Sequence, residues 1–465
     1  MEKSKLIELV GTFSGREWGA FRDFVRSPYF NRNPALIRFC DFLAEQSPEF
    51  KTLNREKVFA ALFPGEPYQD AALKHAMSFL LKLGEQFVGQ IQYERNTAMS
   101  DYFTLKGLSE RELVKHYRYL YDRSVQKHVA QERRDAVFHL EQYMIANLEA
   151  NRLSQSTARV FNDYVQRTAD QLDYFYLAEK LRCTCYMLTS QMVLATPYNL
   201  QLVDEISRFI AQHPLPEEAP SIHAYFYIFQ LLTRENAQSD FDALKKLLVS
   251  QEARFSREEL AEIYQYAINY CNFQILKLKQ PFVEEALNLY VQGVESGILL
   301  QKGKLSPWHF KNIIKLALRL ERFAWTEQFI PQSKQLLDIE FQEDAYYYNF
   351  AELYYYTGRL NEALVYLNKV EFTDIHYNLD TKVLLVKIYY ETEASNALES
   401  LLDSFKNYLH RNKVISEELR RTYLNFITLV RRILRASPAQ YPALREKIQQ
   451  LPLLTGKNWL LRILE

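Results

Sequence analysis

Glycine is scarce, 12 in 465 residues, where average usage of about 7% would give roughly 33. Few tight turns can form, and glycine-rich loops that cradle phosphates are close to excluded. Cysteine is thinner still. Cys40, Cys183, Cys185 and Cys271 lie scattered rather than in the dense even pattern of a disulfide framework, and read as reduced thiols, mostly in the core. No run approaches the ~18 apolar residues of a membrane span, and Met1 to Val10 alternates charge with leucine without building a signal-peptide core. A cytoplasmic chain with no membrane span is expected. Neither charge sign is in excess, since 57 Lys and Arg face 57 Asp and Glu. No whole-chain surplus therefore points to nucleic acid or a lipid surface.

What is abundant is helix-forming, amphipathic sequence. The chain has 32 tyrosines and 30 phenylalanines in a 48% hydrophobic, 25% charged composition, which supplies large side chains for helix packing and for grooves. Ser14 with Glu17, Ser109 with Glu112 and Ser256 with Glu259 fit the capping box and predict three helix starts. Alternating patterns flanked by Asn-Gly or Asp-Gly turns are absent, so no sheet of any size is expected. The proline-dense stretch from His213 to Pro220 and a weaker break between about Asn96 and Ser109 divide the pattern. The division predicts an N-terminal helical domain (1–96), a middle helical region (105–213) and a C-terminal array (220–465).

The array carries an internal period. Tyr347, Phe350, Ala351, Tyr354, Gly358, Ala363 and Leu367 have the spacing of a large residue, apolar and small residues on a first helix, a glycine turn, and an alanine where two helices cross. At a shift of 34 residues follow Leu384, Leu385, Ile388, Ala397 and Leu401, with Thr392 in the glycine place. Upstream, Phe310, Ile313, Ile314, Ala317, Thr326 and Ile330 fit with a three-residue offset, and Ala286 with Tyr290 suggests an earlier unit with a longer turn. The region from about 256 to 411 resembles the tetratricopeptide repeat. That resemblance implies an all-α fold of helical hairpins stacked into a superhelix behind an N-terminal helical domain, with a concave groove for a peptide or partner protein. The first-helix positions it assigns to the groove are Tyr348, Glu352 and Tyr355, then Lys382, Val386 and Tyr389, with Lys311, Lys315 and Arg319 as a basic stripe at i, i+4 and i+8.

A second resemblance lies near the N-terminus. Leu53 to Phe59, then Leu62-Phe63-Pro64-Gly65, then a helix from about Ala71 to Phe87 is similar to the helix-turn-helix of winged-helix domains in bacterial transcriptional activators. The strands expected before it are replaced by helix-like sequence, and the candidate recognition helix offers only Lys74, His75 and Lys82. DNA binding wants a denser basic cluster.

Motifs for chemistry are missing. No phosphate loop, nucleophile elbow or zinc-binding HExxH occurs. Cys183 and Cys185 would point about 200° apart on a helix. His128 and His139 would stand about 16 Å apart on one straight helix, and both read as surface or half-buried side chains. Glu258-Glu259, Glu284-Glu285 and Glu417-Glu418 follow expected helix starts, where they complement the helix dipole. Neither enzymatic activity nor a cofactor or metal is expected. Charge gathers at the C-terminal end, where Arg420, Arg421, Arg431, Arg432 and Arg435 share one arc of the helix expected from Ser416 to Arg435. The sequence thus reads as a protein-interaction scaffold binding a peptide or protein partner, acidic if the basic surfaces receive it. The alternative is a nucleic-acid-associated transcriptional regulator.

Overall fold

The computed structural model describes residues 3–48, 50, 53–154, 161–194, 197–213, 218–277, 279–370, 375–451 and 454–465. Among these residues the protein is an all-α helical-repeat chain of 23 α-helices, with one two-stranded hairpin of two-residue strands. It divides into two compact units, Met1–Tyr176 and Leu177–Glu465.

The first unit contains α1 (Lys5–Val10), α2 (Gly15–Arg26), α3 (Pro34–Gln46), α4 (Arg55–Leu62) and α5 (Asp70–Arg95), followed by α6 (Thr97–Glu110), α7 (Val114–Val129), α8 (Ala136–Ser154) and the start of α9 (Asp163–Leu194). Helices α1 to α5 share one core, in which Trp18, Phe21, Phe39, Phe59, Leu80 and Phe87 are buried together. A smaller cluster of Leu105, Tyr117, Tyr121 and Ile145 holds α6 to α8. Ser14 starts α2 as its spacing implies. Its hydroxyl accepts the Glu17 amide at 3.3 Å, while its own amide donates to the Glu17 carboxylate at 3.0 Å. Ser256 likewise accepts the Glu259 amide at 3.3 Å. Ser109 does not start a helix. It lies inside α6, and Glu112 adopts a left-handed φ of 56° in the turn that leads to α7.

The second unit continues with α10 (Val203–Gln212), α11 (Pro220–Thr233), α12 (Gln238–Gln251), α13 (Arg257–Leu276), α14 (Pro281–Glu295), α15 (Pro307–Arg319) and α16 (Phe323–Ser333). After these come α17 (Ile339–Tyr356), α18 (Leu360–Leu367), α19 (Ile375–Glu391), α20 (Ser395–Arg411), α21 (Glu417–Arg435), α22 (Tyr441–Gln450) and α23 (Lys457–Arg462). The hairpin, β1 (Leu300–Gln301) with β2 (Lys304–Leu305), turns at Lys302-Gly303, both at positive φ, as a two-residue primed turn requires. Helices α11 with α12, α13 with α14, α15 with α16, α17 with α18 and α19 with α20 form successive hairpins. Their first helices also meet one another, α11 with α13, α15 with α17 and α17 with α19. Each hairpin thereby buries the apolar face that its neighbour exposes.

The compact units part within α9, not at the proline-dense stretch from His213. The reason is local packing. Cys185 on the second half of α9 is buried and donates to the Tyr225 carbonyl of α11 at 3.5 Å, and Arg182 reaches Glu262 of α13 at 3.4 Å. The proline-dense stretch therefore links two helices of one unit; its residues 214–217 lie outside the described ones.

One turn recurs along the array and decides its register. In the α15–α16, α17–α18 and α19–α20 turns, the residues at left-handed φ are Glu321, Gly358 and Glu393. In each, the following amide reaches back into the first helix: Arg322 to the Ala317 carbonyl at 2.9 Å, Arg359 to Tyr354 at 2.8 Å, and Ala394 to Tyr389 at 2.9 Å. This is the Schellman closure of a helix C-terminus. The α6–α7 turn repeats it, with the Leu113 amide on the Leu108 carbonyl at 3.0 Å after left-handed Glu112. From Gly358 to Glu393 the step is 35 residues, not 34. The first helices stay near the 34-residue register, with Leu384 and Ile388 buried. The extra residue at the turn rotates the second helix by one position. Leu398 is buried where Ala397 was expected, and Ala397 is exposed. Ala363 is fully buried between α17 and α18, as expected of the small position.

Ala363→Leu should therefore overpack its crossing and cost about 1–3 kcal/mol, whereas Ala397→Leu should change stability by less than about 0.5 kcal/mol; urea unfolding of the two variants checks the register. Glu393→Gly relieves a left-handed glutamate and should stabilise the fold by about 0.5–1 kcal/mol, and Gly358→Ala should destabilise it by a similar amount. Thermal melts that rank the two variants in the opposite order would contradict the shared turn geometry.

Candidate functional site

Two members of the expected basic stripe on α15, Lys311 and Lys315, turn onto a carboxylate of α19. The Lys311 ammonium is buried and lies 2.8 Å from the Asp380 carboxylate of α19, and Lys315 reaches the same oxygen at 3.2 Å. Lys315 also lies 3.8 Å from Glu352 of α17, whose carboxylate accepts from the Tyr348 hydroxyl at 2.6 Å. Tyr423 of α21 donates to the second Asp380 oxygen at 3.4 Å. Lys311 stands over the Trp308 and Tyr377 rings, 4.8 and 4.9 Å from their centroids. Two cations thus face two carboxylates, and four helices are tied through one aspartate.

The electrostatics follow the geometry. Burial alone would raise the Asp380 pKa, but Lys315 and Lys311 outweigh it and hold the carboxyl well below the usual carboxylate range. Burial acts oppositely on Lys315, and Asp380 with Glu352 keeps its ammonium charged to higher pH than usual. Of the other expected groove residues, Lys382 lies over the Tyr408 ring of α20 at 5.3 Å. Val386 is buried, and half-buried Tyr389 packs on the core of α20 and α21. These three serve the packing of the last hairpin. Asp380 itself was not singled out by the repeat spacing, because the first-helix positions assigned to the groove skip it.

Arg319 and Tyr355 do line a cavity, of about 990 Å³, whose walls also include Lys387, Glu391, Trp459 and Arg462. There the Glu391 Oε1 atom accepts from the Tyr355 hydroxyl at 2.6 Å, the Trp459 indole at 2.8 Å and Arg462 at 2.6 Å. The C-terminal helix α23 is seated by these bonds. Gly456 at its start sits so close to Phe426 that an added Cβ would meet that ring at 2.9 Å.

The five arginines of α21 separate into two groups. Arg420 turns back to the carbonyls of Leu409, Asn412 and Ile415 at 2.9 to 3.1 Å, satisfying the end of α20. It caps a helix and leaves the basic face. Arg421 is exposed. Arg431, Arg432 and Arg435 line a groove of about 790 Å³ together with Lys406 and Lys447. Its walls otherwise come from Leu424, Ile427, Thr428, Ala436, Ala439, Gln440, Ala443 and Leu444, and no carboxylate lines it among the described residues. Arg431 is paired with Asp403 just outside. Arg432 and Arg435 are exposed.

The remaining candidates are structural. Cys183 is exposed and Cys185 buried, so the pair faces opposite ways; burial pushes the Cys40 and Cys271 thiols up to about 12. His128 and His139 stand on separate helices, α7 and α8, and both are buried rather than half-exposed. His128 meets the Ser124 carbonyl at 2.9 Å and Glu141 at 3.8 Å, and His139 meets Gln171 at 2.8 Å. In the first unit, Asp70 holds Lys74 at 2.9 Å and Arg55 at 2.8 Å, while His75 and Lys82 are exposed. The α5 helix that carries them runs 26 residues and buries Leu73, Leu80, Leu83 and Phe87 on its core side. Among the described residues no helix is long and apolar enough to cross a membrane, and no group of three or more His, Cys, Asp or Glu could hold a metal ion. Comparison with protein-family models, curated proteins and solved structures finds no match in any of the three.

Asp380→Asn should leave the buried Lys311 ammonium uncompensated and cost about 3 kcal/mol. Because the folded pKa of Asp380 lies below the unfolded value of about 3.9, its contribution is complete above that value and is lost as pH falls from there toward the folded pKa. Chemical unfolding between pH 6 and pH 3 should show a shallower loss of stability in Asp380→Asn than in the parent chain.

Proposed function

We propose that this protein is a non-enzymatic interaction scaffold of tetratricopeptide-like architecture, and that it receives an acidic, partly apolar segment of a partner protein in the groove between α21 and α22. The observation that carries this reading is the composition of the groove. Arg432, Arg435, Lys406 and Lys447, with Arg431 paired to Asp403 just outside, stand around a floor that includes Leu424, Ile427 and Leu444, and no carboxylate lines the groove among the described residues. Acidic side chains of a docked helix or extended segment would meet the cations, and its apolar anchors would meet the floor. The stripe Lys311, Lys315 and Arg319, with Tyr348 and Glu352, is less available to a partner, since Lys311 and Lys315 already have carboxylates within 3.2 Å.

Charge complementarity alone would also suit nucleic acid, but an apolar floor gives phosphates no partner. The two occupants separate in one experiment. A fluorescein-labelled 15-residue peptide of alternating glutamate and leucine turns, and a single-stranded RNA of similar length, are each titrated against the full chain by anisotropy. The peptide should bind and lose at least about tenfold in affinity in Arg432→Glu/Arg435→Glu, with the melting temperature unchanged. RNA that binds more tightly than the peptide, with a steep loss on added salt, would favour the nucleic-acid alternative instead. Equal peptide binding by the variant would remove the groove from consideration.

A further inference from the structure

The cavity beside α23 has an imbalance that the Asp380 cluster lacks. Arg319 from α15, Lys387 from α19, and Lys457 and Arg462 from α23 are its cations, and Glu391 is the one carboxylate among its described lining residues. Glu391 is already taken, since three donors converge on a single oxygen, Arg462 among them. Three cations remain without a carboxylate. Arg319 donates to the Gln280 side chain at 3.4 Å. Lys457 gives two of its three donors to the carbonyls of Gln449 and Leu451, at 2.9 and 3.0 Å. Lys387 has no hydrogen-bond or ion-pair partner among the described residues; its ammonium lies 5.8 Å from the centroid of the Tyr355 ring.

An ammonium held in protein surroundings without a counter-charge is costly. Burial pulls the Lys387 pKa below its ordinary value, more than the carboxylates of Glu352, Asp380 and Glu391 can restore it, with Lys315 opposing them. By contrast, Lys311 and Lys315 both pair with Asp380, and Lys315 also lies 3.8 Å from Glu352. The same wall offers apolar surface: Tyr356 is 49% and Leu276 81% exposed. A volume of about 990 Å³ is at the upper end of small-molecule sites.

We infer that this cavity is a binding site for an organic phosphate, an anion of two or more charges held by Lys387, Arg319 and Lys457, whose ring or apolar arm lies against Tyr356 and Leu276. The surplus of cations over carboxylates favours an anionic ligand over a neutral one. The arrangement of donors favours phosphate over a single carboxylate. Phosphoryl oxygens point in several directions and accept from donors arriving on three different helices, whereas one carboxylate presents a single charge in one plane. No bond is made or broken in the site, so the proposal is of binding alone and is independent of the α21–α22 groove.

The test titrates ADP, inorganic pyrophosphate and citrate into the full chain by calorimetry, with melting temperature read in parallel. ADP should bind more tightly than pyrophosphate, and both more tightly than citrate. Lys387→Met should weaken ADP by at least about tenfold while leaving the ligand-free melting temperature equal or higher, because it removes an unpaired ammonium. Arg319→Gln provides a second variant at the rim of the cavity, with the same expected direction. Arg432→Glu/Arg435→Glu should bind ADP like the parent chain, which keeps this site distinct from the peptide groove. Absence of heat and of a thermal shift with millimolar ADP and pyrophosphate would overturn the assignment. So would parent-like ADP affinity in both Lys387→Met and Arg319→Gln, or citrate binding as tightly as ADP.

Discussion

One carboxylate ties together helices of the second unit that are far apart in the chain. Asp380 accepts from Lys311 and Lys315 of α15 and from Tyr423 of α21, and through Lys315 it is tied to Glu352 of α17. In a stacked array each hairpin touches mainly its neighbours, so nothing in the stacking itself holds α15 to α21 across the intervening hairpins. The aspartate does so. Its cost is the desolvation of several charged groups, which is offset only while every partner is present, and breaking one contact leaves a buried charge behind. Such a cluster contributes less net stability than the same volume of packed apolar side chains would, but it is selective about register, since an ion pair a few ångströms out of place loses most of its value.

That cluster also determines which cations are left for other work. The stripe at Lys311 and Lys315 looks like a docking surface while α15 is considered alone, because i and i+4 place two ammonium groups on one face. Once α17 and α19 are packed beside it, Glu352 and Asp380 face those two ammonium groups. Two other places in the same unit gather cations with few or no lining carboxylates, the rim of the α21–α22 groove and the wall of the cavity beside α23. Their surroundings differ. The groove joins its cations to an apolar floor, the ground for proposing a polypeptide there, whereas in the cavity the Lys387 ammonium lies beside the Tyr355 ring, the ground for proposing a compact anion.

The recurring turn shows how a degenerate repeat is kept geometrically regular. Glu321 and Glu393 occupy the left-handed position that Gly358 fills without strain, and the backbone bond closing each turn has nearly the same length in all three. The six-to-one hydrogen bond and the burial of the next helix over-determine the conformation, so a glutamate is tolerated where glycine would be easier. Register is therefore set by the turn and not by the identity of the residue in it. A search for glycine at fixed spacing finds one turn and misses its two neighbours.

What the sequence by itself determined is the class of structure: low glycine, dense aromatic helix-period segments and serine caps at Ser14 and Ser256 are local signals, and each acts within one or two helical turns. The first-helix positions Phe310, Phe350, Leu384 and Ile388 were legible for the same reason, since a buried helical face repeats at 3.6 residues wherever it packs. The tertiary structure decided the rest. It moved Ala397 to the surface through one extra residue at a turn, and it kept the second half of α9 with the C-terminal unit despite the prolines after His213. It also placed Asp380 against two lysines 65 and 69 residues away in the chain. Whether a charged side chain is spent on a helix end, as Arg420 is, on a buried partner, as Lys311 is, or on neither, as with Lys387, depends on which helix arrives beside it. Coulomb interaction and desolvation act through space, and one-dimensional spacing carries no record of those distances.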